Sequence, residues 1–149
     1  MNVYELLKHQ YSNGEFNRMD IVVRYMAIEE IEGVSRGGLR LYRKMQNGRV
    51  NRNMRRNRPG LMTGESLKRL YLSIKEHGIN EPVNVNPDYS LVDGSHRVAI
   101  ALYLDIDVPV VTGKRKTFPP FGLSWFAERG FDVQAIDNKY QEILSRGNE

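Results

Sequence analysis

Residues 66–111 read SLKRLYLSIKEHGINEPVNVNPDYSLVDGSHRVAIALYLDIDVPVV, and the succession of patterns in this stretch decides the fold. Leu67, Leu70, Tyr71 and Ile74 recur at i, i+3, i+4 and i+7, which gives a helix one apolar face. Thr63 stands where an N-cap is wanted, Glu65 lies in the first turn where the helix dipole favours a carboxylate, and Gly78 supplies the stop. The spacing predicts a helix over 63–78. Pro82 to Asn86 then alternates as a strand, Pro87–Asp88 turns, and Tyr89 to Val92 makes a second strand. Ser95 to Leu104 is apolar nearly all round from Val98 on, which predicts a buried helix, and Val108 to Val111 closes the unit as a strand.

The tetrad Gly94-Ser95-His96-Arg97 sits between a strand and a helix. A glycine there lets the backbone turn sharply and approach a ligand. The helix start offers unpaired N–H groups and a partial positive charge. Ser95 adds a hydroxyl, and His96 and Arg97 add donors for phosphate oxygens. The arrangement favours a phosphate-bearing ligand, although Asp-Gly after a strand is also an ordinary turn and Ser95 an ordinary cap.

Outward from this block, Asn2 to His9 places Val3, Leu6 and Leu7 at helical spacing, as a short docking helix. Ile21 to Met26 is rich in β-branched and aromatic residues and predicts a strand, with Ala27 to Glu32 a single helical turn after it. Leu39, Tyr42 and Met45 suggest a short helix, and the Asn/Arg/Gly-rich remainder a mobile loop. A final amphipathic helix is expected from about Asp132 to Ser145. The cluster Phe118, Phe121, Trp125 and Phe126 reads as packing for the C-terminal helices; otherwise it walls an acceptor pocket or forms the interface of a homodimer. The expected organisation is a docking helix and arm over 1–19, a nucleotide-binding domain over 20–112 with a basic insertion or lid at 33–60, and a helical extension over 113–149.

The 149 residues suffice for one core, with 40% hydrophobic and 27% charged residues. The absence of cysteine excludes a disulfide scaffold, a thiol nucleophile, an iron–sulfur cluster and a cysteine-type zinc site. The three histidines are dispersed; a metal site could still use carboxylates, but no spacing signals one. No apolar run is long enough to cross a bilayer, and the start lacks a signal-peptide pattern, so a soluble cytoplasmic protein is expected. The net charge of +4 hides a strong asymmetry. Between Gly33 and Gly60 lie nine basic residues, from Arg36 to Arg58, and no acid; the rest of the chain has 13 basic against 18 acidic groups. Such a segment wants an anion, either as a lid over a phosphorylated ligand, with Arg36, Arg40 and Arg43 on one helix face, or as an arm for nucleic acid.

The phrases SIKEHG (73–78), PVNV (82–85), DGSHR (93–97) and VPVV (108–111), in this order and with short gaps, resemble the ParB/sulfiredoxin superfamily over roughly half of the chain. The resemblance implies an α/β (α+β) fold, a small mixed sheet flanked by helices, with a nucleotide phosphate site at the glycine turn. It makes Ile21 to Met26 the family's first strand. Sulfiredoxin carries a cysteine where Ser95 stands, which excludes sulfinic acid reduction here. The chromosome-segregation members carry a helix-turn-helix DNA domain and a dimerisation tail, for which the roughly 36 residues after Gly113 are too few. The turn of the free serine kinases reads Asp-Gly-x-His-Arg, and Asp93-Gly94-Ser95-His96-Arg97 meets it at every specified position.

That likeness implies a kinase for a small hydroxyl-bearing molecule such as a free amino acid, sugar or polyol, using ATP or ADP (or CTP) with Mg2+. Gly94, Ser95, His96 and Arg97 would hold the phosphates, and Ser73 matches a hydroxyl position on the preceding helix that contacts phosphate in related proteins. A glutamate after the first strand would be the base. Glu29, Glu30 and Glu32 all fall there; Glu32, beside Gly33, is favoured, and Glu30 is second. Asp93 would orient the acceptor or hold magnesium. The rival expectation is a ParB-like nucleotide-gated DNA-binding protein or nuclease that uses the basic segment Arg36–Arg58.

Overall fold

The central element is a helix, α2 (Met19–Ile31), of whose thirteen residues ten are buried, among them Ile21, Val22, Val23, Tyr25, Ala27 and Ile28. This corrects the strand expected at Ile21–Met26. The β-branched run is real, but a helix covered on all sides needs no polar face, and packing overrides a weak local propensity. Ala27–Glu32 simply continues the helix. The computed structural model describes residues 1–55, 62–113 and 121–148, and for 50–55 the backbone alone.

Around α2 pack α3 (Gly38–Arg55), α4 (Gly64–His77), α5 (Ser95–Leu104) and α7 (Val133–Arg146). Helix α1 (Val3–Tyr11) and the short α6 (Leu123–Glu128) complete the set among the described residues. The sheet has three strands in the order β2-β1-β3: β1 (Val83–Val85), β2 (Leu91–Asp93) and β3 (Val110–Thr112). β1 and β2 form an antiparallel hairpin, and α5 crosses over so that β3 lies parallel to β1, Val83 opposite Val110. The fold is therefore a small mixed sheet flanked by helices. One hydrophobic core joins residues of α1, α2, α4, α5, α7 and the sheet. No described helix is long and apolar enough to cross a membrane.

Most expected elements of the 63–111 block stand within two residues of their predicted bounds. Thr63 caps α4 through its side chain, with Ser66 returning the bond. The basic segment differs more. The short helix and mobile loop expected there are one helix through Arg55; Arg56 and Arg58 lie outside the described residues. Tyr42 and Met45 are fully buried and fix its inner face. Gly38 lies so close to α2 that a Cβ would stand 2.0 Å from the Met26 carbonyl oxygen. The Glu30 carboxylate accepts from the Leu39 N–H at 2.9 Å and so holds the first turn of α3.

Two side chains cover the open edge of β2. Gln10 accepts from the Leu91 N–H at 2.9 Å and donates to the Tyr89 carbonyl at 2.8 Å. Arg18 donates to the Leu91 carbonyl at 2.9 Å. Arg18 also grips Asp20 with two bonds, at 2.8 and 2.9 Å, and Arg24 donates to the same carboxylate at 2.6 Å. Asp20 is fully buried. Asp20→Asn strips both guanidinium groups of their counter-charge while keeping the volume. It is expected to lower unfolding stability by about 3–5 kcal/mol in urea titrations, the cost of breaking a buried pair from one side.

Candidate phosphate-binding cleft

Gly94 places α5. Its φ of 113° suits glycine, and a Cβ would stand 2.6 Å from Cγ1 of Val83 on the neighbouring strand. The hairpin and the helix can meet this closely only without a side chain at 94. No side chain caps α5. Its helical bonding begins with the Val98 N–H, which donates to the Gly94 carbonyl at 3.0 Å, so the N–H groups of residues 95–97 have no acceptor within the helix.

This end of α5 opens on a cleft of about 500 Å3. Ser73, Ile74 and Leu70 of α4 form one wall; the segment Gly78–Glu81 forms another; Asp93, Gly94, Ser95, His96 and Arg97 form the third. Six of the eight residues expected from the sequence are therefore brought together: Ser73, Asp93, Gly94, Ser95, His96 and Arg97. Glu30 and Glu32 do not line the cleft. Glu30 holds α3, and Glu32 faces Lys75 at 3.6 Å. Glu29, the third carboxylate of that run, is buried against Lys139 of α7 at 3.2 Å.

Arg24 and Arg49 also line the cleft. Neither was singled out from the sequence. Arg24 stood inside the expected strand, where the signal was a lone cation in an apolar run. Arg49 stood among the basic residues, and the signal was its helical phase, seven residues after the buried Tyr42. Arg36, Arg40 and Arg43, expected along a lid, are exposed and do not line the cleft. Phe121 lies beneath the two cleft arginines, with guanidinium carbons 5.9 and 5.0 Å from its ring centre. The expected aromatic packing is thus present for Phe121, Trp125 and Phe126, which cluster with Phe131; Phe118 lies outside the described residues.

Arg97 is engaged differently from the expected clamp. Its guanidinium donates to the Glu81 and Pro82 carbonyls at 3.2 and 3.0 Å and faces the carboxylates of Asp93 and Glu81 at 3.4 and 3.5 Å. It pins α5 to the start of β1 and forms cleft wall. His96 accepts at Nε2 from Nε–H of Arg24 at 3.2 Å, with the Tyr42 hydroxyl 3.0 Å from the same nitrogen. Because Arg24 can only donate, the neutral ring carries its hydrogen on Nδ1.

The electrostatics follow from this packing. Burial would raise the Asp20 carboxyl, but Arg18 and Arg24 outweigh it and hold it below the usual carboxylate range. Burial, with the neighbouring Arg49 and Arg18, pushes Arg24 down to about 10 against the pull of Asp20. Burial, then Arg24 and Arg49, keeps His96 well below the ordinary histidine value, hence neutral. Among the described residues no group of three or more acids and histidines could hold a metal ion. Asp93 and Glu81 are the carboxylates that line the cleft. No protein-family model, curated protein or solved structure matches the chain.

A pH dependence follows from His96. Unfolded, it takes a proton near pH 6.5; folded, it does so only well below, so stability falls as the pH drops beneath about 6.5. The slope approaches about 1.4 kcal/mol per pH unit until the folded value is reached. Urea titrations between pH 7.5 and 5 should show this limb in the wild type and a flatter one in His96→Gln. Asp20, whose carboxyl is held low, adds a loss only below about pH 4.

Proposed function

We propose that this cleft binds the polyphosphate of a nucleotide, ATP or ADP (CTP being the variant of the same chemistry), and that the protein transfers a phosphoryl group to a small hydroxyl-bearing molecule such as a free amino acid, sugar or polyol. The observation that carries this reading is the uncapped start of α5 facing a 500 Å3 cleft that also holds Arg24, Arg49 and Ser73. Backbone N–H groups and fixed cations aimed at one point are what charge developing on a transferred phosphoryl group needs. The choice of a kinase among the activities of the ParB/sulfiredoxin superfamily rests on the resemblance of DGSHR to the serine-kinase turn, and the helix α2 in place of a first strand departs from that family's pattern.

The base cannot be taken over from the resemblance, since Glu30 and Glu32 face elsewhere. Asp93, at the end of β2 and on the cleft rim, takes that role here. The acceptor hydroxyl gives its proton to the Asp93 carboxylate as its oxygen bonds to the terminal phosphorus, and the shortened nucleotide leaves with the electrons of the broken P–O bond. One carboxylate together with substrate phosphates suits Mg2+, and Glu81, on the cleft wall away from the base, meets that donor set. Bound there, the ion would spread the phosphates' negative charge.

The DNA-binding or nuclease reading retains Arg36, Arg40 and Arg43 as exposed described cations, whereas Lys44 bonds the Gly130 carbonyl at 3.0 Å and Arg49 turns into the cleft. Calorimetry with ATP and ADP, turnover with a panel of serine, sugars and polyols in the presence of Mg2+, and a DNA mobility shift separate the two. Nucleotide binding with transfer to one acceptor class is expected. Asp93→Asn should keep nucleotide affinity within about threefold and lower turnover by about 100-fold or more, the usual scale for a lost general base. Absence of both binding and transfer, or DNA binding alone, overturns the reading.

A further inference from the structure

His96 is held by a chain of polar groups that starts on α2. Asp20 is fully buried and accepts from Nη1–H of Arg24 at 2.6 Å. Arg24, itself 1% exposed, donates from Nε–H to Nε2 of His96 at 3.2 Å. The Tyr42 hydroxyl lies 3.0 Å from the same ring nitrogen. A hydroxyl donates or accepts, so Tyr42 alone would let either neutral form of the ring stand. A guanidinium only donates, so an Nε2–H would meet the Arg24 N–H donor to donor. Arg24 therefore decides the tautomer, and the ring hydrogen stands on Nδ1, across the ring from that contact. Among the described residues this Nδ1–H donates to nothing, and neither does Nη2 of Arg24, although both side chains line the cleft. Two held donors without acceptors, beside the uncapped start of α5, suit an oxyanion.

We propose that Arg24 is both a positioning residue for His96 and a donor to the ligand: it holds the ring in its Nδ1–H form, and Nδ1–H of His96 with Nη2–H of Arg24 bonds oxygens of the phosphate received at the start of α5. The inference rests on the phosphate-binding part of the reading above and adds how the motif histidine is set from α2, outside the motif. Both groups only donate at these atoms, so they take phosphate oxygens and offer nothing to a ligand's own N–H. The assignment also fixes what His96 does not do. Its lone pair is taken by Arg24, so it has none for the proton of an acceptor hydroxyl. It positions the phosphate and leaves the role of base to Asp93.

Long-range 1H–15N correlation spectra at pH 8 read the tautomer directly, with His96 identified by the signal lost in His96→Gln. His96 should carry hydrogen on Nδ1 alone, whereas His9 and His77, both exposed, serve as references that exchange between the two forms. Adding inorganic pyrophosphate should move the Nδ1 signal. Tyr42→Phe should leave the tautomer unchanged. Arg24→Lys, which keeps a cation beside Asp20 but loses the Nε–H, should mix the two forms. It should also weaken pyrophosphate binding about tenfold or more by calorimetry, the scale of one charge-assisted hydrogen bond. Hydrogen on Nε2 in the wild type, a tautomer released by Tyr42→Phe but not by Arg24→Lys, or pyrophosphate binding that leaves the Nδ1 signal unmoved overturns the inference. The first and last of these need only the wild-type protein, so they decide even where Arg24→Lys fails to fold. Turnover separates the inference from the broader reading. Phosphoryl transfer by a protein whose His96 carries Nε2–H defeats this inference alone; the Nδ1–H form with a pyrophosphate shift, but no transfer to any acceptor, defeats the kinase and upholds the positioning; absence of pyrophosphate binding defeats both.

Discussion

A single buried carboxylate, Asp20, organises this molecule. It stands in the first turn of α2, where the helix dipole favours it, and two guanidinium groups converge on it. Each arginine then has donors left over, and each spends them on a different part of the fold. Arg18 reaches the carbonyl of Leu91 on β2, and Arg24 reaches His96 on α5. One carboxylate thereby ties the central helix to the sheet edge and to the helix that bears the site. Burying three charges is costly, and an apolar trio of the same volume would hold the core together as well or better. What such a trio could not do is leave a fixed guanidinium at the floor of a cleft.

The rest of the architecture serves to hold that floor in place. Helix α3 comes close enough to α2, through Gly38, to lay Tyr42 against His96 and to carry Arg49 into the cleft two turns later. Phe121 supplies a ring face under both arginines, and Phe126 and Phe131 brace it at ring-centre distances of 6.0 and 4.9 Å along the chain of contacts. The C-terminal segment is therefore part of the site's foundation and not an appendage to a finished domain. Gly94 does the complementary work at the opposite wall, letting the hairpin and α5 meet without a side chain between them.

The block 63–111 was legible because its signals are local. Caps, turns and alternating strands depend on neighbours within a few residues, and Thr63, Gly78, Pro87–Asp88 and Gly94 all act as their chemistry suggests. The grouping of Ser73 with residues 93–97 was legible through the resemblance, which is a long-range fact that no single phrase contains. Helix α2 was not legible for a physical reason: a segment buried on every side has no amphipathic period, and IVVRYM then carries only its β-branched preference. Its length was the overlooked sign, since apolar character runs on through Ala27 and Ile28 beyond an ordinary strand. A strand in place of α2 would aim Glu30 and Glu32 at the cleft, whereas the helix turns Glu30 to the start of α3 and Glu32 to Lys75, and it carries Arg24 to the cleft from a helix face.

Arg97 illustrates why the residue with the strongest motif signal need not carry the chemistry that motif suggests. A guanidinium at a helix start beside a glycine turn has two competing sets of acceptors, a ligand's oxygens and the backbone carbonyls within its reach. Here the carbonyls of Glu81 and Pro82 take it, at 3.2 and 3.0 Å. Pulling it away for a ligand would strand those carbonyls and loosen the joint between α5 and β1. Arg24 faces no such conflict. Asp20 and His96 hold two of its nitrogens in place and Phe121 supports its plane, so the third nitrogen would already be oriented for a ligand. A side chain so fixed gives up little rotamer freedom on binding, whereas an arginine recruited from the surface would lose most of its own. On this ground an anion would gain more from the preorganised Arg24 than from the exposed arginines of the basic segment.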